Sequence, residues 1–231
     1  MARRVAVPTE WVRRQVLSRF GVPPERVVVV PWGVDAELPR PPRAQAEAEV
    51  EARFGISGPF VLSVGCVEPK KNQLAAASAA ARAGLPFVLV GPRVPRSPDL
   101  LAAIRGAAGS GFRDLGFVST DSLGILYAAA TAFCFPSFAE GFGLPVLEAM
   151  AAGVPVVASD RPVLREVCDG AALLADPGDP AALATALRRL TESPSLRAEL
   201  VERGRTRAAW FTWERSAARF EEVLSDAVQA P

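Results

Sequence analysis

The stretch Ala132-Phe-Cys-Phe135-Pro-Ser-Phe-Ala-Glu140-Gly-Phe-Gly-Leu-Pro-Val-Leu-Glu148-Ala-Met-Ala-Ala-Gly153-Val154-Pro-Val-Val-Ala158 reads as strand, glycine turn, short helix and strand. Pro145 suits the first position of a helix and Gly153 the residue just past its end. Gly141 and Gly143 let the turn bend sharply and let a ligand come close to the backbone. A helix start carries unpaired N–H groups and a positive dipole end, which together seat a phosphate or a sugar oxygen. Glu140 stands before the turn and Glu148 near the end of the first helical turn. Two acceptor side chains around an anion seat suit a ligand that carries both hydroxyls and phosphates, as a nucleotide sugar does.

The same alternation runs through most of the chain. Val61–Val64, Phe87–Val90, Asp114–Val118, Ala132–Phe135, Val154–Ala158 and Ala171–Leu174 are short runs, mostly apolar, ended by Gly or Pro. Helical patterns follow them at about 71–83, 98–108, 121–129, 145–152, 161–168 and 179–191. Runs apolar on both faces argue for buried parallel strands with crossover helices on both sides. The expectation is an α/β fold with a doubly wound, Rossmann-like parallel sheet over about 55–195. Ligands of such sheets bind at the carboxyl ends of the strands, so Gly65, Gly91 and Pro136-Ser137 should line one edge.

The flanks differ. Residues 1–38 read as strand, helix and strand (Val5–Val7, about 9–19, Val27–Val30), too little to hold a core alone. They look like the end of a preceding domain, with Pro39-Arg-Pro-Pro42 as a linker. A helix at about 214–228 follows Trp210-Phe-Thr-Trp213, with Ala217, Phe220, Val223, Leu224 and Val228 in one stripe. It is expected either to cap the domain or to reach back to another.

Composition bounds the chemistry. The chain has 231 residues, 50% hydrophobic and 22% charged, with a net charge of +1. That balance offers no global field toward nucleic acid or an anionic membrane. No apolar run approaches a membrane span, and the basic N-terminus lacks the pattern of a signal peptide. Cys66, Cys134 and Cys168 have no paired spacing, which suits reduced thiols of a cytoplasmic protein and no metal cluster. With no histidine, Ser-His-Asp and Cys-His catalysis drop out. Of the 26 basic residues two are lysine, Lys70 and Lys71, leaving 24 arginines. A compact ammonium kept at one place suggests a point-charge task such as phosphate binding. By itself, Gly65-Cys-Val-Glu-Pro-Lys-Lys71-Asn72 also reads as an ordinary strand–helix turn with exposed lysines. It is neither a Walker loop nor GxGxxG, which argues against a dinucleotide oxidoreductase.

Taken together these motifs resemble the donor-binding half of retaining GT-B glycosyltransferases of family 4 (glycosyl transferases group 1). The resemblance rests on Val30-Pro-Trp-Gly-Val-Asp35, Leu62-Ser-Val-Gly65 with Glu68-Pro-Lys-Lys-Asn72, Gly116-Phe-Val118, Leu126-Tyr-Ala-Ala-Ala-Thr131, Phe135-Pro-Ser137, Glu140 to Met150, Gly153 to Ser159, Glu166 and Leu174 to Pro180. They run in the family's order over nearly the whole chain from about residue 5. The resemblance implies that Glu140 meets donor-sugar hydroxyls and that the backbone N–H groups of Gly141, Phe142, Gly143 and Leu144 hold the sugar or distal phosphate. It implies that Glu148 takes the ribose hydroxyls and that Lys71 neutralises the departing diphosphate in place of a metal. Glu140 is then an orienting group rather than a nucleophile, since the family's retention is described as front-face attack. Gly65, Gly91 and Val118 would border the donor. Cys66 stands where many members carry arginine, and Lys70 is expected to take that role. The implied donor is a nucleotide diphosphate hexose, GDP-mannose or UDP-glucose in type, with no cofactor.

On this reading residues 1–40 are the remnant of the N-terminal domain and its linker, 41–209 the donor domain, and 210–231 a helix that reaches back. The acceptor domain would lie in a missing N-terminal part or a partner chain, so the isolated chain is expected to transfer poorly. The alternative is a non-catalytic nucleotide-sugar sensor or assembly module. Trp11, Trp32, Trp210 and Trp213 are expected in packing, Cys134 in the core, and the arginines of 188–207 on a solvated helix face. Glu166 is expected either to support the donor site or to cap a helix.

Overall fold

Six short strands form a parallel sheet whose carboxyl ends share one edge. The structure, a computed structural model, describes residues 2–34, 38–94 and 98–229; Asp35 of the Val30–Asp35 motif lies outside them. A first unit consists of β1 (Val5–Val7), α1 (Glu10–Phe20) and β2 (Val27–Val29), with the two strands parallel in a sheet of their own. Then follow α2 (Arg43–Phe54), β3 (Val61–Val64), α3 (Gln73–Arg82), β4 (Phe87–Val90), α4 (Pro98–Ala108) and β5 (Phe112–Gly116). The chain continues with α5 (Thr120–Ala129), β6 (Ala132–Phe135), α6 (Leu144–Ala151), β7 (Val156–Ser159), α7 (Pro162–Cys168) and β8 (Leu173–Ala175). It ends with α8 (Pro180–Glu192), α9 (Pro194–Trp210) and α10 (Trp213–Gln229).

β3 to β8 form one parallel sheet in the order β5-β4-β3-β6-β7-β8. This is the doubly wound α/β arrangement that the alternation of runs implies. Successive residues of each strand face opposite layers, as the period of two requires. Val61, Phe87, Leu89, Cys134 and Val157 face the layer of α3, α4 and α8, whereas Leu62, Val88, Val90, Phe133, Phe135 and Val156 face that of α2, α5, α6 and α7. α3 is nearly all alanine on its inner face, which lets it lie close against the sheet and its neighbouring helices.

Four expectations shift. β5 runs over 112–116 rather than 114–118, because its pairing with β4 shifts register after Leu89 and Gly116 then turns left-handed at φ 61°. α2 was not foreseen: its polar sequence hides only Ala46 and Val50, while Arg43–Glu47 and Glu49–Arg53 pairs hold its outer face. The basic segment 188–207 divides between α8 and α9 at Ser193, whose hydroxyl accepts from Leu196 N. Arg207 there is not on a solvated face: it donates to the carbonyls of Glu166 and Val167 and stacks 4.8 Å from the Phe211 ring centroid. In α10 only Val223 of the expected stripe is buried; Ala217, Phe220, Leu224 and Val228 stay exposed. Its far end meets the first unit, where Arg3 Nη1 donates to the Ala227 carbonyl at 3.0 Å. None of the helices among the described residues is long and apolar enough to cross a membrane.

The strand ends are held close. Gly91, at φ 146°, passes Gly65 so tightly that a Cβ would sit 2.1 Å from the Gly65 carbonyl oxygen. Both obstacles act at once: a backbone region that side chains avoid and a clash with rigid main chain. Gly91→Ala is therefore expected to cost about 3 kcal/mol and to lower Tm by roughly 6–12 °C. Gly141→Ala has open space around it and is expected to leave Tm within about 2 °C. Thermal unfolding of both variants checks the contrast.

Candidate nucleotide-sugar site

β3 and β6 are adjacent, but the chain leaves them in opposite directions across the sheet, so a crevice opens at their carboxyl ends. From β3 the chain passes Gly65 and closes a short 3-10 turn over Pro69–Lys71. Asn72 follows in a left-handed conformation at φ 55°. Its carboxamide Nδ2 donates to the carbonyls of Pro136 (3.1 Å) and Pro177 (2.7 Å), tying the loop after β3 to those after β6 and β8. A second tie runs from Phe138 N to the Lys70 carbonyl at 2.8 Å.

These ties bring Lys71 to Glu140. Lys71 Nζ lies 2.7 Å from Glu140 Oε1, with the two side chains only 16% and 11% exposed. The lysine methylenes pass over Gly65, 3.8 Å from where a Cβ would stand, and Nζ is 5.1 Å from the Phe135 ring centroid. The attraction in a pair withdrawn this far from water is largely offset by the cost of desolvating both charges. Its value lies in placement: a cation and an acceptor are fixed side by side at the mouth of the crevice.

Beyond Glu140 the glycine turn ends at Gly143, φ 101°, the residue that starts α6. The position favours glycine for its conformation; a Cβ there would also come within 2.8 Å of Leu164 Cδ2, which would have to shift. No side chain caps this helix end. Glu148, one turn in, is held differently from Glu140: its Oε2 accepts the Tyr127 hydroxyl at 2.9 Å. Tyr127 is fully buried, its ring 5.6 Å from that of Phe133. Burial, and after it the neighbouring Glu148 charge, pushes the phenol pKa well above its ordinary value, so it serves as a donor.

The other expected residues fall as follows. Gly91 stands beside Gly65 at the end of β4, and Val118 is half-buried just beyond β5, packed against the core. Gly141 is exposed and Leu144 half-buried. The Phe142 side chain is core, 2% exposed between Trp32 and Phe211, so what the turn can offer a ligand at this position is backbone. Lys70 is 57% exposed and pairs with Glu68 at 3.2 Å; the structure brings Lys71, and not Lys70, to Glu140. Cys66 is half-buried, and its carbonyl accepts from Gln73 Nε2 at 2.7 Å. Cys134 and Cys168 are core thiols that burial pushes up to about 12. Trp32, Trp210 and Trp213 are packed on one side and half-exposed on the other.

Three residues were missed and one, Glu166, was left open. Asn72 and Tyr127 stood in the motifs without a role; the signals were an asparagine at a loop-to-helix junction and the only tyrosine of the chain. Thr9 gave none: its buried hydroxyl caps α1, accepting from Val12 N, and donates to the Gly141 carbonyl at 3.2 Å. Glu166 is a cap. Its two oxygens accept from Glu10 N (2.7 Å) and Trp11 N (2.9 Å), closing the start of α1 from α7.

Comparison with known proteins adds to this geometry. The family described as Glycosyl transferases group 1 matches residues 47–207. The chain is 33% identical over 221 residues to O-antigen chain mannosyltransferase B of Escherichia coli, covering 92% of this chain and 58% of that one. It is 37% identical to D-inositol 3-phosphate glycosyltransferase of Acidothermus cellulolyticus, covering 98% and 54% respectively. The chain thus spans about half the length of the curated relatives it matches. Among solved structures, sucrose-phosphate synthase from Thermosynechococcus elongatus superposes with a TM-score of 0.82 at 28% identity, over 98% of this chain and 59% of that one. Anabaena Alr3699/HepE in complex with UDP and glucose gives 0.87 at 22% identity, over 98% and 64%, a likeness of fold.

The capping geometry of Glu166 has a direct consequence. Glu166→Ala frees two N–H groups at a helix start, which costs about 1–2 kcal/mol. The expected result is a Tm lower by roughly 2–8 °C with nucleotide affinity within about twofold of wild type; thermal melts and nucleotide titrations of the same variant measure the two.

Proposed function

The chain belongs to the glycosyl transferases group 1 family, and from that premise we propose that it forms the donor-binding half of a retaining glycosyltransferase. It takes a nucleotide diphosphate hexose, of the GDP-mannose or UDP-glucose type, for transfer to an acceptor bound by residues outside this chain. The single observation that carries the reading is the Lys71–Glu140 contact at the crevice between β3 and β6. A cation for a diphosphate and an acceptor for hydroxyls stand together where an α/β sheet binds its ligand. That two relatives are named mannosyltransferases supports a hexose donor.

Residues 41–209 would hold the donor. Residues 1–40 and 210–231 would belong with the acceptor side of the cleft, in a preceding domain or a partner chain. The isolated chain is then a poor transferase. The three free thiols support work in a reducing compartment such as the cytoplasm.

The chemistry follows from charge. As the bond from the sugar's anomeric carbon to the diphosphate oxygen breaks, negative charge grows on the diphosphate. Lys71 stabilises it in a site already drawn away from water, where a fixed charge is worth more than in bulk solvent. The acceptor oxygen bonds to the same face of the anomeric carbon, and its proton passes to the departing phosphate oxygen. Glu140, held by Lys71, orients sugar hydroxyls and does not become covalently attached. The N–H groups of the Gly141–Leu144 turn meet the sugar or the distal phosphate, and Glu148 meets the ribose.

Titration with GDP, UDP and ADP, followed by calorimetry, tests the reading. At least one should bind, with an affinity unchanged by a chelator. Lys71→Met should weaken that nucleotide about 10–100-fold, the worth of a charged hydrogen bond. Failure of all three to bind would contradict the donor-site assignment.

A further inference from the structure

Glu140 and Glu148 belong to one motif, and the fold gives each a different contact. Glu140 sits against a cation, whereas the hydroxyl on Glu148 Oε2 belongs to a neutral phenol at 2.9 Å. Tyr127 lies on α5 and Glu148 on α6, so the bond crosses between two helices of the same layer. The phenol has no freedom of its own. Its ring is fully buried against Phe133, and its oxygen lies 3.3 Å from the Pro145 carbonyl in the first turn of α6. A buried hydroxyl on a rigid ring fixes the direction of the carboxylate it touches without adding charge.

We infer that Tyr127 is the positioning residue for ribose recognition: it aims Glu148 so that the site selects a nucleotide bearing 2′- and 3′-hydroxyls over one lacking them. The inference rests on the reading that Glu148 meets the ribose. Burial, which keeps the phenol a donor, agrees with it.

The test compares GDP and UDP with their 2′,3′-dideoxy counterparts on the full chain. Wild type should prefer the ribonucleotide at least tenfold. Tyr127→Phe keeps the ring in its packing and should reduce that preference by about tenfold, leaving dideoxynucleotide affinity within twofold. A Tyr127→Phe protein that keeps the full preference, or that loses affinity for both ligands equally, would overturn the inference. Glu148→Gln separates the two layers of the argument. If it abolishes the preference while Tyr127→Phe does not, positioning by Tyr127 fails alone; if Glu148→Gln also keeps the preference, the ribose assignment fails and the inference with it.

A second readout needs no substitution. Tyr127 is the only tyrosine in the sequence, so growth on 3-fluorotyrosine places one fluorine in the protein, on the ring at issue. Its NMR signal should move on titration with the ribonucleotide and move less than half as far with the dideoxynucleotide at saturation. Equal displacements by the two ligands would overturn the inference even if the phenylalanine variant did not fold.

Discussion

The contact between Lys71 and Glu140 depends on strand order. Two strands, β4 and β5, separate β3 from β6 along the chain, yet the two are neighbours in the sheet. The loops leaving them therefore diverge, and a residue from each can face the other across the gap. A basic residue seven positions after β3 and an acidic residue five after β6 meet there at 2.7 Å. The ion pair adds little stability, because desolvation offsets most of its Coulombic gain. What maintains it is the surrounding backbone: Asn72 reaching two carbonyls, Phe138 bonded to Lys70, and Ser159 Oγ donating to the Ser137 carbonyl beneath the loop.

From that point the site extends along α6. The glycine turn is tied to the first unit through Thr9, and that unit is tied to α7 through Glu166. Arg207 in turn closes the far end of α7 by donating to the carbonyls of Glu166 and Val167. One chain of polar contacts therefore runs from α9 through α7 and α1 to the residue after Glu140. Within α6, Glu148 Oε2 accepts from the Tyr127 hydroxyl. The two glutamates are set by separate contacts, Lys71 on the one and Tyr127 on the other, which accords with the separate roles proposed for them.

The sheet was legible in the sequence because its strands are buried on both faces. Runs such as Phe87–Val90 and Ala132–Phe135 carry no polar residue that could place them elsewhere. The motifs also marked Lys71, Glu140 and Glu148, of which the fold brings the first two into contact. Local patterns could not give contacts made across 69 residues of chain, as from Lys71 to Glu140, or 156, as from Glu10 to Glu166. They also failed where tertiary packing chose among similar signals. Of two adjacent lysines the fold selects Lys71, of an apolar stripe on α10 it buries Val223, and α2 forms from a charged segment with two buried positions. Phe142 shows the same limit: the motif marks the residue, but only packing against Trp32 and Phe211 reveals that its side chain is structural.

The central claim is that Glu140 acts on the sugar while Lys71 acts on the diphosphate. Calorimetric titration of Glu140→Gln with a nucleoside diphosphate and with its hexose conjugate tests it most directly. Glutamine keeps an acceptor oxygen but removes the charge that opposes Lys71. The bare diphosphate should therefore bind as well as to wild type or more tightly, while the affinity gained from the sugar is lost. An equal loss of affinity for both ligands would contradict the account.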